Sequence, residues 1–187
     1  PILLATTWNA YTPTQPNVGS MTNFMNTATL RAAKVGMDHT LDDALAGRAE
    51  IFTMTEQAHG AALMPDDPGG LSHGLRASLA CRMARANAAE GLAAHFADLP
   101  ARAGGAEMEL RVTDPAFDGG ADMRLAAIVR HCDLVTSDVK SVVAGDIAAL
   151  TAAGVSQDDI VRLSELIAFV NYQARIVVGL RLMAGLS

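Results

Sequence analysis

The stretch SQDDIVRLSELIAFVNYQARIVVGLRLMA, residues 156–184, decides the fold that the sequence predicts. Ser156 and Asp159 form a helix start signal, because a serine oxygen can accept a hydrogen bond from a free amide of the first turn. Apolar residues then recur every three or four positions, as they do on one face of an α-helix. They are Ile160, Leu163, Ile167, Val170, Ala174, Val177 and Leu180. We therefore predict one long helix over residues 157–184.

Upstream of this helix, the same spacing recurs in shorter stretches. Ser72 caps a second long helix that we expect to reach Phe96. Asn87, Gly91 and a run of alanines in its middle indicate either a bend or a tight contact with another helix. Two prolines and two glycines within residues 64–70 separate it from a helical stretch that begins at Leu41. Ser72 and Asn87 also precede Ser156 and Asn171 by the same 84 positions. This internal sequence similarity has two interpretations. It is either a chance agreement of two amphipathic helices or the trace of an ancient duplication.

Two further helices are predicted at residues 121–135 and 144–153, with a loop over residues 101–120. These elements make up a single all-α domain over residues 39–187. Because helices account for the whole pattern, we predict a helical bundle of six to eight helices with an antiparallel central hairpin.

The first part of the chain, residues 1–38, differs from the rest. It is rich in Thr, Asn and Pro, and its only charges before residue 38 are Arg31 and Lys34. We predict an irregular N-terminal arm with a short helix over residues 27–35. The arm is too apolar for ordinary disorder, so we expect it to pack on the domain or on a neighbouring subunit.

The composition excludes some classes of function. A net charge of −6 and an aromatic content of 4% argue against nucleic acid, which requires basic clusters and stacking side chains. Polar residues interrupt the longest apolar stretch, which argues against a membrane span. Charged residues make up only 18% of the chain, and we expect the apolar helices to bury surface between subunits of a homodimer or higher homo-oligomer.

The chain has two cysteines, Cys81 and Cys132, which lie 51 residues apart. Their spacing matches neither a metal site nor a redox motif. We therefore predict free thiols, no metal, no cofactor and a cytoplasmic location.

Two blocks of sequence carry a resemblance to a known family. The first block is DPGGLSHGLR at residues 67–76, followed by residues 79–80 and 86–96. The second block comprises residues 131–136, 150–154, 159–164 and 168–175. In order and spacing, the two blocks resemble the alkylhydroperoxidase-D-like superfamily, which includes the carboxymuconolactone decarboxylases. The similarity covers about residues 41–184, and it implies the family's helical fold, a peroxidase-related, oxidoreductase-like protein and an oligomer.

Active members of this superfamily place a Glu twelve residues before a Cys-x-x-Cys, and a His four residues after the second Cys. The thiolate attacks the peroxide, the second thiol resolves the intermediate, and the Glu and His relay protons. With Asn87 as the anchor of the alignment, these four positions hold Ala77, Ala89, Leu92 and Phe96. The resemblance therefore implies a family member without thiol-peroxidase activity.

The remaining polar residues offer two sets of candidates. The candidate catalytic residues are His95, Glu90, Arg82 and Arg85. Each also has a structural alternative, a solvated helix face for the first two and ion pairing for the two arginines. The candidate structural polar residues are Asn87, Asn171, Tyr172 and Arg175. We predict that Arg175 is buried and paired, because it lies at the margin of an apolar stripe.

Three functions stay open at this point. The first is a cysteine-less family member that acts as an accessory partner of a redox-active relative. The second is a cofactor-free lyase or isomerase that acts on a small carboxylate through the catalytic candidates. The third is a small-ligand binding or assembly module without chemistry.

Overall fold

A computed structural model describes residues 24–35 and 41–186 of the chain. Within these two ranges the protein is all-α, with no strand, as predicted. The helices, numbered here in chain order, are α1 Ala28–Ala33, α2 Asp42–Ala46, α3 Ala49–Leu63, α4 His73–Ala86, α5 Glu90–Phe96, α6 Leu99–Arg102, α7 Glu107–Arg111, α8 Met123–Ser137, a 3-10 turn Val139–Ser141, α9 Ala144–Ala152 and α10 Gln157–Met183. Most of the predicted arm, residues 1–23 and 36–38, lies outside the described residues.

Both serine caps are confirmed. The Ser72 side chain accepts a hydrogen bond from the backbone N–H of Leu75 at 3.0 Å, and Ser156 accepts one from Asp159 at 3.1 Å. Each bond satisfies an amide that has no partner within its own helix. The two longest predicted helices therefore begin where the sequence placed their starts.

The structure has more helical segments than the predicted six to eight, because short helices form where the sequence indicated interruptions. The turn at Gly47 and Arg48 separates α2 from α3. Pro100 stands in the first turn of α6, where its missing N–H costs no hydrogen bond. Helix α7 occupies the predicted loop over residues 101–120. A glutamate tethers it, since Glu109 accepts hydrogen bonds from Ser72 and from the backbone of Ala106.

The predicted bend near Asn87 is a complete break between α4 and α5. Ala88 has a φ of 52°, a left-handed conformation that a helix interior does not allow. Helix α5 then restarts at Glu90 and lies against α1, where a Cβ on Gly91 would collide with the carbonyl oxygen of Ala32. The break therefore turns the chain, and the glycine allows α5 to approach the backbone of α1.

Helix α4 forms the centre of the bundle. Every residue from Gly74 to Ala84 is buried, and the helix packs against α5, α6, α8 and α10. The predicted core stripe of this region is confirmed, with Leu75, Leu79 and Met83 each no more than 2% exposed. By length and composition alone α10 is apolar enough to cross a membrane, but core helices pass the same test, and α10 supplies ten buried residues here.

Candidate functional site

Four helices, α1, α3, α5 and α10, meet around two histidines. His59 on α3 and His95 on α5 have ring centroids 5.4 Å apart, and both side chains are partly buried. The ring of His59 stacks on Phe96 with an interplanar angle of 6°. We call His59 and His95 the imidazole pair.

The orientation of His59 is set by two buried polar side chains. The amide Nε2 of Gln173 lies 3.2 Å from Nδ1 of His59 and 3.1 Å from the hydroxyl oxygen of Thr29. Gln173 and Thr29 are both fully buried. The amide oxygen of Gln173 also lies 3.4 Å from Nδ1 of His59, so this buried amide can hold the ring in place in either tautomer.

Burial is the main reason why the imidazole pair is neutral. The pKa of His95 falls to about 4, first because of desolvation and then because of the adjacent His59 and Arg31. The pKa of His59 is also lowered, again mainly by desolvation, although Glu56 acts in the opposite direction. At neutral pH each ring therefore carries one N–H donor and one unprotonated nitrogen.

Charged groups of both signs lie next to the pair. A carboxylate oxygen of Glu56 accepts a hydrogen bond of 2.7 Å from the backbone N–H of Ala28, at the start of α1. The guanidinium of Arg31 donates to the backbone and side-chain oxygens of Asn26, and its charge acts on both imidazoles. The surroundings of the imidazole pair, which we call the centre, therefore add the fixed carboxylate of Glu56 and the exposed cation of Arg31 to two groups that can exchange protons.

An aromatic wall adjoins the pair on the side of α10. The ring of Phe169 lies 6.1 Å from His59 in an edge-on arrangement, and 6.2 Å from Tyr172. Tyr172, one of the predicted structural residues, is 42% exposed, and its hydroxyl lies 3.2 Å from that of Thr55. The two rings therefore continue the row of aromatic contacts from His59 along α10.

The four predicted catalytic residues are not gathered in one place. His95 belongs to the imidazole pair. Glu90 is exposed in the first turn of α5. Arg85 is exposed and donates to the carbonyl of Thr113. The side chains that act electrostatically on the pKa of His95 are His59, Arg31, Glu56 and Arg102, and none of the other three predicted catalytic residues is among them.

Arg82 has the structural role that was its predicted alternative. Its guanidinium forms two bonds to Asp133, of 2.6 and 2.7 Å, and donates to backbone carbonyls of the loop between α7 and α8. The carbonyls belong to Val112, Asp114, Pro115 and Phe117. The residue is 5% exposed, and its N–H groups are occupied by the protein. Arg82 therefore fastens this loop to α4 and α8.

The predicted structural asparagines are joined directly. Nδ2 of Asn87 donates to Oδ1 of Asn171 at 2.8 Å. Each Nδ2 also donates to the carbonyl four residues earlier, of Met83 and of Ile167 respectively. Asn87 is the C-cap of α4 and Asn171 lies inside α10. The pair therefore connects the two helices that begin after Ser72 and Ser156.

The prediction that Arg175 is buried and paired is wrong. Arg175 is exposed, and within residues 24–35 and 41–186 it makes no ion pair or hydrogen bond. Five residues beyond Val170 and one beyond Ala174, it lies just past the edge of the buried face of α10. A long side chain at that edge reaches solvent without the cost of burial.

Both cysteines lie in the core, where burial disfavours their thiolate forms. Cys81 and Cys132 are free, as predicted, and fully buried. Desolvation raises the pKa of both thiols, that of Cys132 to about 12. Ala77, Ala89, Leu92 and Phe96, the four apolar positions singled out in the sequence analysis, are all no more than 1% exposed.

The sequence predictions included His95 but missed its partner His59. One signal was present: Glu56 and His59 stand three positions apart and therefore share one face of α3. A second was Gln173, an uncharged polar residue in the buried stripe of α10. Neither signal shows that α3 and α5 meet, because that contact depends on the break after α4.

In the described part of the chain, no group of three or more His, Cys, Asp or Glu residues has the arrangement of a metal site.

No family model matches this chain, and neither the curated proteins nor the solved structures contain a match. The functional argument therefore rests on the geometry of the imidazole pair and its neighbours.

Proposed function

We propose that this chain is an alkylhydroperoxidase-D-like protein in which an imidazole pair replaces the thiol pair. In this proposal it is a cofactor-free lyase or isomerase that acts on a small carboxylate. The observation that carries the proposal is the contact between His59 and His95, with Gln173 orienting one ring and Arg31 beside both. Two neutral imidazoles at one place allow one ring to accept a proton while the other donates one.

The charges around the pair favour an anionic substrate. Arg31 is exposed and offers a guanidinium to a carboxylate. A negative charge beside the rings stabilises their protonated forms, and so raises pKa values that burial and repulsion hold down in the free protein. Substrate binding thereby brings the proton-transfer groups closer to neutral pH, where general acid–base catalysis is most effective.

Two features support the absence of thiol-peroxidase activity. A thiolate is the attacking species, and both thiols are buried with raised pKa values. The positions that correspond to the family's cysteines, Ala89 and Leu92, are apolar and buried at the start of α5. The proposal keeps the expectations of a cytoplasmic homo-oligomer.

A binding module without turnover, including an accessory partner of a redox-active relative, is the second candidate. The observation that favours it is the pKa of His95, about 4, which is low for a general base at neutral pH. Turnover separates the two candidates, since a binding module requires only that the site retain its ligand.

The main experiment measures proton transfer and carbon–carbon cleavage directly. The purified protein is incubated in D₂O with small 2-oxo acids, and exchange at the carbon next to the carbonyl is followed by NMR. Decarboxylation of carboxymuconolactone is followed in parallel by absorbance. We expect turnover with at least one compound, and a loss of about 100-fold or more in both His59→Asn and His95→Asn.

The control variant is His73→Asn. The His73 ring contacts the carbonyl of Pro65 at 2.8 Å and lies outside the pair, so the variant removes an imidazole without touching the centre. Equal rates in the wild type and both pair variants would exclude the catalytic proposal. Binding of the compounds at the pair without any turnover would establish the binding module instead.

A separate measurement tests the missing peroxidase activity. We expect the wild type to reduce hydrogen peroxide and alkyl hydroperoxides no faster than Cys81→Ser, with a dithiol as reductant. Steady peroxide consumption that Cys81→Ser abolishes would contradict the proposal.

A further inference from the structure

A cavity with a volume of about 410 Å³ lies between α8, the 3-10 turn and α10. This volume is in the range of small-molecule sites. The cavity is lined by His131, Val135, Val139, Ser164, Ile167, Ala168, Asn171 and Arg175. The positions from α10 follow one another at three- and four-residue steps, and those from α8 at four, so each helix presents one continuous face to the cavity.

The cavity and the imidazole pair lie on opposite sides of α10. Gln173, which orients His59, is two positions after Asn171 and two before Arg175. Two positions correspond to about 200° around a helix. A ligand in this cavity is therefore bound independently of the imidazole pair, and the inference does not depend on the function proposed for the pair.

The inner wall of the cavity contains an imidazole, that of His131, which does not use all of its hydrogen-bonding capacity. His131 is 4% exposed, and its Nδ1 is buried without a hydrogen-bond partner in the described residues. Burial lowers its pKa, Asp146 opposes that change and Arg130 reinforces it, so the ring is neutral at pH 7. Buried ring nitrogens in native proteins usually have partners, because an unsatisfied one has lost its bonds to water without a replacement.

The rim of the cavity supplies a cation. Arg175 is exposed and has no ion-pair partner in the described chain, and no lining residue is acidic. The other polar groups of the wall are already occupied. Asn171 bonds Asn87, the carbonyl of Ile167 and the hydroxyl of Thr136. The electrostatic preference of the cavity is therefore for a negative charge at Arg175.

The remainder of the lining is apolar. Val135, Val139, Ile167 and Ala168 surround the space between the guanidinium and the imidazole. A ligand that matches both parts has one anionic end and a short hydrocarbon body.

We propose that this cavity binds a small amphiphilic monocarboxylate, such as a short-chain fatty acid. The carboxylate pairs with Arg175 and accepts the N–H of the neutral His131, while the hydrocarbon chain covers the valines and Ile167. The ligand thereby gives the guanidinium a partner that residues 24–35 and 41–186 do not provide.

The experiment titrates the ¹⁵N-labelled protein with hexanoate and follows amide chemical shifts. We expect saturable shifts at residues 131–139 and 164–175. Hexanamide, which has the same length without the charge, and acetate, which lacks the hydrocarbon body, should each bind at least about tenfold more weakly. The first loses a charge-assisted bond, and the second loses four methylenes of apolar contact.

Arg175→Gln tests the guanidinium and Arg181→Gln is its matched control, because it removes the same charge from the same helix outside the cavity. We expect Arg175→Gln to weaken hexanoate binding by about tenfold or more, and Arg181→Gln by less than about twofold. Arg175 is exposed, so its variant is expected to fold.

Several outcomes would overturn the proposal. One is the absence of saturable binding at ~10 mM hexanoate, and another is equal affinity in the wild type and Arg175→Gln. A third is a set of shifts centred on His59 and His95. That last result would place the carboxylate at the imidazole pair, and so would support the function proposed for the pair while excluding this second site.

Discussion

Arg82 and the imidazole pair are both polar groups inside an apolar bundle, and they differ in how much of their bonding capacity the protein uses. The guanidinium of Arg82 is saturated by Asp133 and by carbonyls of one loop. His59 and His95 contact each other, and His59 also contacts Gln173, while burial and nearby positive charge keep both rings uncharged. A saturated cluster fixes the fold, whereas an unsaturated one retains groups that a ligand can use.

This difference reverses the roles that the sequence suggested for two arginines. Arg82 was a catalytic candidate, and it holds a loop in place. Arg175 was expected to be a buried anchor, and its guanidinium lies at the rim of a cavity without a partner in the described part of the chain. Residue type and spacing could not tell which of the two arginines is bound by the protein itself. Their surroundings in the folded chain do.

The largest effect is expected for Arg82→Met. This change leaves Asp133 without its partner and removes the bonds to four carbonyls, so we expect a loss of about 3–5 kcal/mol in the free energy of unfolding. Urea denaturation measures it. Arg85→Met, three residues away and exposed, is the control and should cost less than about 1 kcal/mol. Equal losses in the two variants would mean that the Arg82 cluster does not anchor the fold.

The imidazole pair should instead make stability depend on pH. The folded pKa of His95, about 4, is below its unfolded value of 6.5, so between these values the unfolded chain binds more protons. The free energy of unfolding therefore falls as pH drops from 6.5 towards 4. We expect a loss of about 1–3 kcal/mol between pH 7 and pH 4.5, because the ring is only partly buried.

Urea denaturation at the two pH values measures this loss, and His95→Gln should reduce it. His59 and His131 also have lowered pKa values, so part of the dependence should persist in that variant. A pH profile that His95→Gln leaves unchanged would indicate that His95 is solvated and already charged near pH 6.

The asparagine pair provides an intermediate case, saturated but uncharged. Asn171→Ala removes the acceptor of Asn87 and leaves that side chain with one bond fewer, so we expect a cost of about 1–2 kcal/mol. Combining it with Asn87→Ala should reveal a coupling energy of about 0.5–1.5 kcal/mol in a double-mutant cycle. Strict additivity of the two changes would show that the contact between α4 and α10 contributes nothing to stability.

The smallest effect is expected for Arg175→Met. An exposed guanidinium without a partner contributes little, so we expect a change of less than about 0.5 kcal/mol in the free energy of unfolding. Thermal unfolding of the purified protein checks this value. A loss of 2 kcal/mol or more (of the order expected for breaking a buried pair) would mean that Arg175 is covered in solution, for example by another subunit.

The helices were predictable because their signals are local. Ser72 and Ser156 mark helix starts by a bond to an amide three residues away, and the apolar stripes of α4 and α10 follow the period of the helix itself. The sequence likewise shows apolar residues at Ala77, Ala89, Leu92 and Phe96, the positions that the resemblance aligns with a Glu, two Cys and a His.

Only the tertiary structure decided which polar residues meet. Ala88 adopts a left-handed backbone conformation, and the chain after it turns so that α5 packs against α1. His95 thereby contacts His59, a residue 36 positions earlier in the chain. The fate of each arginine depends in the same way on distant groups, since Asp133 lies 51 positions from Arg82. Helix formation depends on neighbours along the chain, whereas the burial and charge of a side chain depend on what the folded chain places around it.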